Sequence, residues 1–263
     1  MRYALGWLRS MLFTDVLIYL ETAVMGTISL AGSLFDPHGR FQHRCARIWS
    51  GMILVTSRVK VRVRGLENID PRATYIYCAN HQSLMDIPVI FSRIPAEFRI
   101  LAKKGLFSVP FLGWHLRRSG HLEVDRSSPR GALRSFEQAA RQLRQGASIF
   151  FFPEGGRSDD GMLKPFRPGP FLLAIKVGVP IVPVAVQGTR QVLPIGSMYI
   201  RAGAVELTVG KPVATAGLSL RHADRLTAAV HDQIAGFLSG QDHRRDAEVA
   251  EKSPTASPGK AES

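Results

Sequence analysis

Three strand-length runs that are almost wholly apolar constrain this chain more than any other feature: Tyr75-Ile76-Tyr77-Cys78-Ala79, Ser148 to Phe152 and Val179 to Val186. A strand with one wet face alternates apolar and polar residues, so runs apolar at nearly every position read as buried strands. The stretches between them carry helical spacing. Pro129 to Gln145 places Leu133, Phe136, Ala140 and Leu143 on one face, and Phe171 to Val177 stops at Gly178. Shorter strands are expected at Arg99 to Ala102 and Val205 to Val209, and a last helix at Arg221 to Leu238. Arg58-Val59-Lys60-Val61-Arg62-Val63-Arg64 alternates strictly, a half-buried strand with valines inward and a basic stripe outward. Lys103 to Gly120 reads as helical or irregular around Pro110. This βα rhythm predicts an α/β domain.

Chemistry-bearing residues follow two of the runs. The first is followed by Asn80-His81-Gln82-Ser83-Leu84-Met85-Asp86 and then a helix-like stretch from Leu84 to Phe91. A histidine is a base near neutral pH, and a nearby carboxylate sets its tautomer and stabilises the imidazolium that forms. The same residues also fit a structural turn, with Ser83 as helix N-cap, Asp86 as its N3 partner and His81 as a hydrogen-bonded turn residue. The second run is followed by Pro153-Glu154-Gly155-Gly156-Arg157-Ser158. Pro153 ends the ladder, the two glycines permit a tight turn, and Arg157 is suited to a phosphate. A Glu–Arg turn salt bridge is the alternative there.

Four ordered blocks make the chain resemble the phospholipid/glycerol acyltransferase family, most closely the 1-acylglycerol-3-phosphate acyltransferases. The first block, a His, four residues and an Asp, is met by His81 and Asp86; the second by Gly120-His121-Leu122-Glu123-Val124-Asp125-Arg126, preceded by Ala102-Lys103-Lys104-Gly105-Leu106-Phe107 and Pro110-Phe111-Leu112-Gly113-Trp114. The third, Phe-Pro-Glu-Gly-Thr-Arg-Ser, is met by Phe152 to Ser158 with Gly156 in place of the usual Thr, and the fourth by Val179 to Val184. The likeness covers roughly residues 73–195. It implies a single acyltransferase-like domain, a mixed sheet flanked by helices.

Composition fits that expectation. The 263 residues carry a net charge of +13, all of it before the C-terminal tail, which calls for an anionic partner: nucleic acid, anionic lipid or a phosphorylated substrate. No nucleic-acid motif occurs and aromatic residues are not interleaved with a basic patch, so nucleic acid is not expected. Cys45 and Cys78 form neither a metal motif nor a disulfide framework, and a reducing, cytosolic setting is the simpler inference. Residues 1–57 point to a membrane. Met11 to Phe35 is long and largely apolar, yet Asp15 and Glu21 interrupt it, so a helix lying in one leaflet fits better than a clean span. After a turn at Asp36-Pro37-His38-Gly39, a second helix from Phe41 to Ser57 begins near Arg40, Arg44 and Arg47, which suit anionic head groups. A two-helix hairpin packed on the soluble core is the alternative. The expected organisation is therefore N-terminal membrane-associated helices over 1–57, an acyltransferase domain over 58–240 and a disordered tail over 241–263.

The resemblance implies acyl transfer from a thioester to the sn-2 hydroxyl of 1-acyl-glycerol-3-phosphate, with His81 as base and Asp86 orienting it. Arg157 and Lys103 are expected to bind the acceptor's phosphate, Arg126 to provide a second anion site, Glu154 to order the loop or contact glycerol, and Gly155 to let backbone approach the ligand. Pro183 is expected to shape the pocket wall. No metal or bound cofactor is implied; acyl-CoA or acyl carrier protein is a co-substrate. The other partners are a lysophospholipid acceptor and membrane lipid, with the catalytic domain on the cytoplasmic side. Another lysophospholipid, glycerol-3-phosphate or a lyso-aminolipid is the alternative acceptor. A membrane lipid-binding protein without turnover is the reading from a different class.

Overall fold

A computed structural model describes residues 10–36, 38–124 and 128–240. The expected tail and Arg126 lie outside the described residues. Seven strands form one sheet: β1 (Val59–Arg64), β2 (Ile76–Ala79), β3 (Phe98–Lys103), β4 (Leu122–Val124), β5 (Ser148–Phe151), β6 (Ile181–Gln187) and β7 (Gly203–Val209). Their order is β1-β7-β6-β2-β5-β3-β4. The five strands from β6 to β4 run parallel, β7 pairs antiparallel with β6, and β1 lies parallel beside β7. The sheet is thus mixed, as expected. The short edge strand β4 lies inside the second block, where three residues are too few to show alternation.

The helices are α1 (Asp15–Gly32), α2 (Arg40–Thr56), α3 (Asp86–Arg93), α4 (Leu112–Arg118), α5 (Pro129–Arg144), α6 (Gly169–Val177), α7 (Thr189–Val192) and α8 (Ala223–Ser239). Alternation along the strands divides the core in two. Tyr77 and Ala79 of β2 face α2 and α3, whereas Ile76 and Cys78 face α5, α6 and α8. Both faces are covered, which is why the central strands are apolar throughout. β1 at the sheet edge keeps its valines inward and its basic residues exposed. Helix α5 spans the expected residues but is rotated about its axis: Leu133 is exposed, and Gly131, Ser135, Ala139, Ala140 and Leu143 are buried. Small residues face the sheet there because the helix lies close to it.

The two N-terminal helices differ. Helix α2 buries Ile53 and Leu54 in the core and packs on α3. Arg47, expected at a lipid surface, turns inward and donates to the Pro95 carbonyl at 3.0 Å. Helix α1 packs chiefly on α2 and α4, sets Ile18 against the core, and leaves Val16, Leu17, Tyr19, Leu20, Val24 and Ile28 exposed. Its acids do not face outward alone. Asp15 accepts from Ser10 Oγ at 3.3 Å and Glu21 from Thr56 Oγ1 at 2.6 Å. Residues Leu12–Gly32 are long and apolar enough to cross a membrane by length and composition, and only 11% of that stretch is buried.

Candidate active site

The site lies at the carboxyl ends of the parallel strands, where ligands of open α/β sheets bind. β2 and β5 are neighbours, so the residues that follow them, His81 and Glu154, are brought to one edge. β3 is next to β5, and its last residue, Lys103, ends exposed on that same edge.

His81 Nδ1 and Asp86 Oδ2 are 2.7 Å apart. The Asp86 side chain is fully buried, and the same oxygen accepts from the backbone N–H groups of Gln82 at 2.8 Å and Ser83 at 3.0 Å. Three hydrogen-bonding contacts to one buried oxygen fix the orientation of the carboxylate. The capping contacts coexist with the His81 pairing: Asp86 reaches back to the Ser83 N–H, and Ser83 Oγ accepts from the Met85 N–H at 3.1 Å. Met85 occupies the N-cap, Asp86 opens α3, and its carboxylate reaches back to His81. Ser83 Oγ also donates to the Leu193 carbonyl at 2.7 Å. With Nδ1–H committed to Asp86, Nε2 is left as the basic lone pair, and the ring is 16% exposed. Phe152 stacks on the imidazole with centroids 4.0 Å apart, fixing its plane.

The two loops are laced through the backbone of residue 81. Glu154 Oε1 accepts from the His81 N–H at 2.6 Å, and the Ser158 N–H donates to the His81 carbonyl at 2.8 Å. The other Glu154 oxygen accepts from the Lys164 N–H at 2.9 Å. Glu154 is buried, and burial raises its carboxyl pKa against the opposing pull of those two N–H groups. Each oxygen thus accepts a backbone N–H, and Glu154 joins the His81 turn to the segment at Lys164. Gly155 has φ +81°, a conformation that L side chains rarely adopt, whereas Gly156 has open space where a Cβ would stand. The position therefore has room for the Thr usual in the third block, whose hydroxyl is absent here. Arg157 is half-buried, and its carbonyl accepts from Lys164 Nζ at 2.7 Å. No Glu154–Arg157 ion pair occurs.

Asn80, Phe152 and Lys164 are contributors the sequence reading did not single out. The Asn80 side chain exchanges two hydrogen bonds of 2.8 Å with the backbone of Val186, tying the end of β2 to β6 just before the histidine. Its position next to His81 was the available signal; Lys164 carried none. Pro183 sits in register opposite Cys78 within the sheet. Among the described residues no cluster of three or more His, Cys, Asp or Glu side chains is placed to hold a metal ion.

An imidazole oriented by a buried carboxylate, with Lys103 ending a strand of the same sheet edge, is an arrangement able to take a proton from a hydroxyl. The acyltransferase family model matches residues 60–187. The chain is 31% identical over 231 residues to the 1-acyl-sn-glycerol-3-phosphate acyltransferase of Saccharomyces cerevisiae, covering 85% of this chain and 76% of that protein. It is 38% identical over 183 residues to a chloroplastic 1-acyl-sn-glycerol-3-phosphate acyltransferase of Arabidopsis thaliana, over 68% of this chain, and spans about half (51%) of that longer protein. Its fold matches the crystal structure of the 1-acyl-sn-glycerophosphate acyltransferase PlsC of Thermotoga maritima with a TM-score of 0.76 and 27% identity, covering 91% of this chain and 98% of that one. The chain belongs to the acyltransferase family.

Proposed function

We propose that this chain is an O-acyltransferase that acylates the sn-2 hydroxyl of 1-acyl-glycerol-3-phosphate to give phosphatidic acid. The observation that carries the reading is the 2.7 Å contact between His81 Nδ1 and Asp86 Oδ2, which leaves Nε2 directed to its task. His81 Nε2 takes the hydroxyl proton as the oxygen attacks the thioester carbon. The tetrahedral intermediate collapses, the C–S bond breaks, and the imidazolium returns the proton to the leaving sulfur. A thioester is already activated, so no acyl-enzyme is needed. Arg157 and Lys103 take the acceptor's phosphate, with Arg126 as a second anion site. Glu154 and Gly155 shape the loop that holds His81. No metal or bound cofactor enters this scheme; acyl-CoA or acyl carrier protein is the co-substrate.

The exposed apolar face of α1 supports a membrane position, with α1 lying in the leaflet that carries the acceptor and the catalytic domain on the cytoplasmic side. The catalytic unit in this reading is 58–240 together with α2, which packs into its core. The test is a panel of lysophosphatidate, glycerol-3-phosphate, neutral lysophospholipids and a lyso-aminolipid, each with acyl-CoA and with acyl carrier protein. Lysophosphatidate is expected to have the highest kcat/KM, unchanged by chelator. Preference for another acceptor would reassign the substrate, and no turnover with any would favour a lipid-binding protein.

A further inference from the structure

The segment between β3 and β4 is not used by the chemistry, yet it exposes five large apolar side chains within nine residues: Leu106, Val109, Phe111, Leu112 and Trp114. Phe111 is 63% exposed and Trp114 54%, and their rings lie 5.3 Å apart. The cluster is built to point outward. Phe111 has φ +61°, an unusual conformation for a bulky residue. Gly113 lies so close to the Phe107 carbonyl that a Cβ would overlap it, and the Gly113 N–H donates to the Val109 carbonyl at 2.7 Å. A free loop tip of this composition would collapse onto the domain; here the backbone holds the rings away from it.

Two observations identify what covers these rings. The segment adjoins α1, whose outer face is apolar and exposed: α4, which carries Leu112 and Trp114, packs on α1, with Ser29 Oγ 2.9 Å from His115 Nδ1. Cations bracket it, with Lys103 and Lys104 before and Arg117 and Arg118 after, and the Arg117 guanidinium lies over the Phe107 ring. Aromatic tips ringed by Lys and Arg suit the head-group region of an anionic leaflet.

We infer that residues 104–114 form a second membrane contact, which seats the carboxyl edge of the sheet on an anionic phospholipid leaflet. Because the segment leaves β3 directly after Lys103, seating it brings the active-site edge to the lipid surface, and it adds a second contact beside α1 that fixes the rotation of the domain about that helix. The inference rests on the membrane position proposed for α1.

The test uses the full chain carrying Trp7→Phe and Trp49→Phe, which leaves Trp114 as the sole indole. On vesicles of phosphatidylglycerol and phosphatidylcholine with brominated acyl chains, Trp114 emission is expected to shift to the blue and to be strongly quenched. In the otherwise native chain, Phe111→Ser with Trp114→Ser is expected to lower vesicle partitioning about tenfold. The same pair should reduce transfer to a vesicle-borne acceptor more than transfer to a monomeric short-chain acceptor. A vesicle-bound chain whose Trp114 is neither shifted nor quenched would overturn this inference and leave the α1 reading standing; a full chain that does not bind vesicles would overturn both. A double variant that keeps its vesicle affinity but loses self-association would assign the patch to a second copy of the chain and overturn the lipid contact.

Discussion

At the scale of single residues, the site depends on how few degrees of freedom His81 retains. Its ring is held by Asp86 and Phe152, and its backbone by Glu154 and Ser158. Replacing His81 by Ala should lower kcat between about a hundredfold and ten-thousandfold with the fold retained, and Asp86→Asn should also weaken transfer strongly. A folded His81→Ala protein with near-native turnover would refute the mechanism. Arg157→Ala should raise the acceptor's KM about ten- to hundredfold and leave the donor's KM nearly unchanged, since a charge-assisted contact contributes about 1.5–3 kcal/mol. An effect confined to the donor would move the phosphate site elsewhere, first to Arg126. The paired glycines separate cleanly. Gly155→Ala forces a side chain into φ +81° in the loop that holds His81 and should reduce kcat/KM by about tenfold. Gly156→Thr, with open space for the side chain, should stay within about threefold of the parent. Steady-state kinetics on the two variants side by side decides it.

Among the elements, α1 and α2 are neighbours in sequence with different solvents. Both contain enough apolar residues to suggest lipid, but α2 spends Ile53 and Leu54 on the core, whereas α1 buries little beyond Ser29. A truncation meant to free the domain from the membrane therefore has to stop before Arg40. Removing residues 1–38 should abolish most vesicle flotation and keep the domain folded, at the loss of the Glu21–Thr56, Thr22–Trp49 and Ser29–His115 contacts. Starting at Arg58 should instead destabilise the domain, because it strips a layer from the sheet. Flotation of the full chain should weaken at high salt without vanishing, since α1 contributes an apolar term that salt does not screen. If the chain lacking 1–38 floats as well as the full chain, α1 is structural and the lipid contact belongs to the domain.

For the molecule as a whole, His43 on α2, His115 on α4 and His121 just before β4 are expected to make the fold sensitive to acid. Burial and the nearby guanidinium of Arg99 hold the His43 pKa down to about 4, and His115 and His121 are lowered by burial as well. A lowered pKa means that the folded state binds the proton less tightly than the unfolded state. Their contribution is fully present above about pH 6.5 and is lost as pH falls towards 4, by about 3 kcal/mol for His43 alone. His43 packs against the rings of Phe91 and Phe98, so His43→Leu keeps an apolar contact and removes the proton site. Thermal unfolding in nonionic detergent should show the Tm of the parent falling faster than that of His43→Leu between pH 7 and pH 4.5. Equal slopes would place the acid sensitivity in other groups.

Local sequence was enough to determine most of the elements. Apolar runs mark β2, β5 and β6 because both faces of those strands are buried, and Gly178 marks the end of α6 because its left-handed backbone favours glycine. The four ordered blocks also identify the family. What local sequence leaves open is whatever depends on which elements become neighbours. Asp86 reads either as a capping residue or as a partner of His81, and only the closed turn of 82–85 shows one oxygen serving both the Ser83 N–H and the ring. Glu154 and His81, 73 positions apart, meet because β2 and β5 pair side by side. Arg47 turns to the Pro95 carbonyl and Leu133 to solvent because packing against the domain, not spacing along a helix, sets which face is buried. Spacing defines an apolar face, but the solvent that face meets, core or leaflet, is decided by what the tertiary structure places against it.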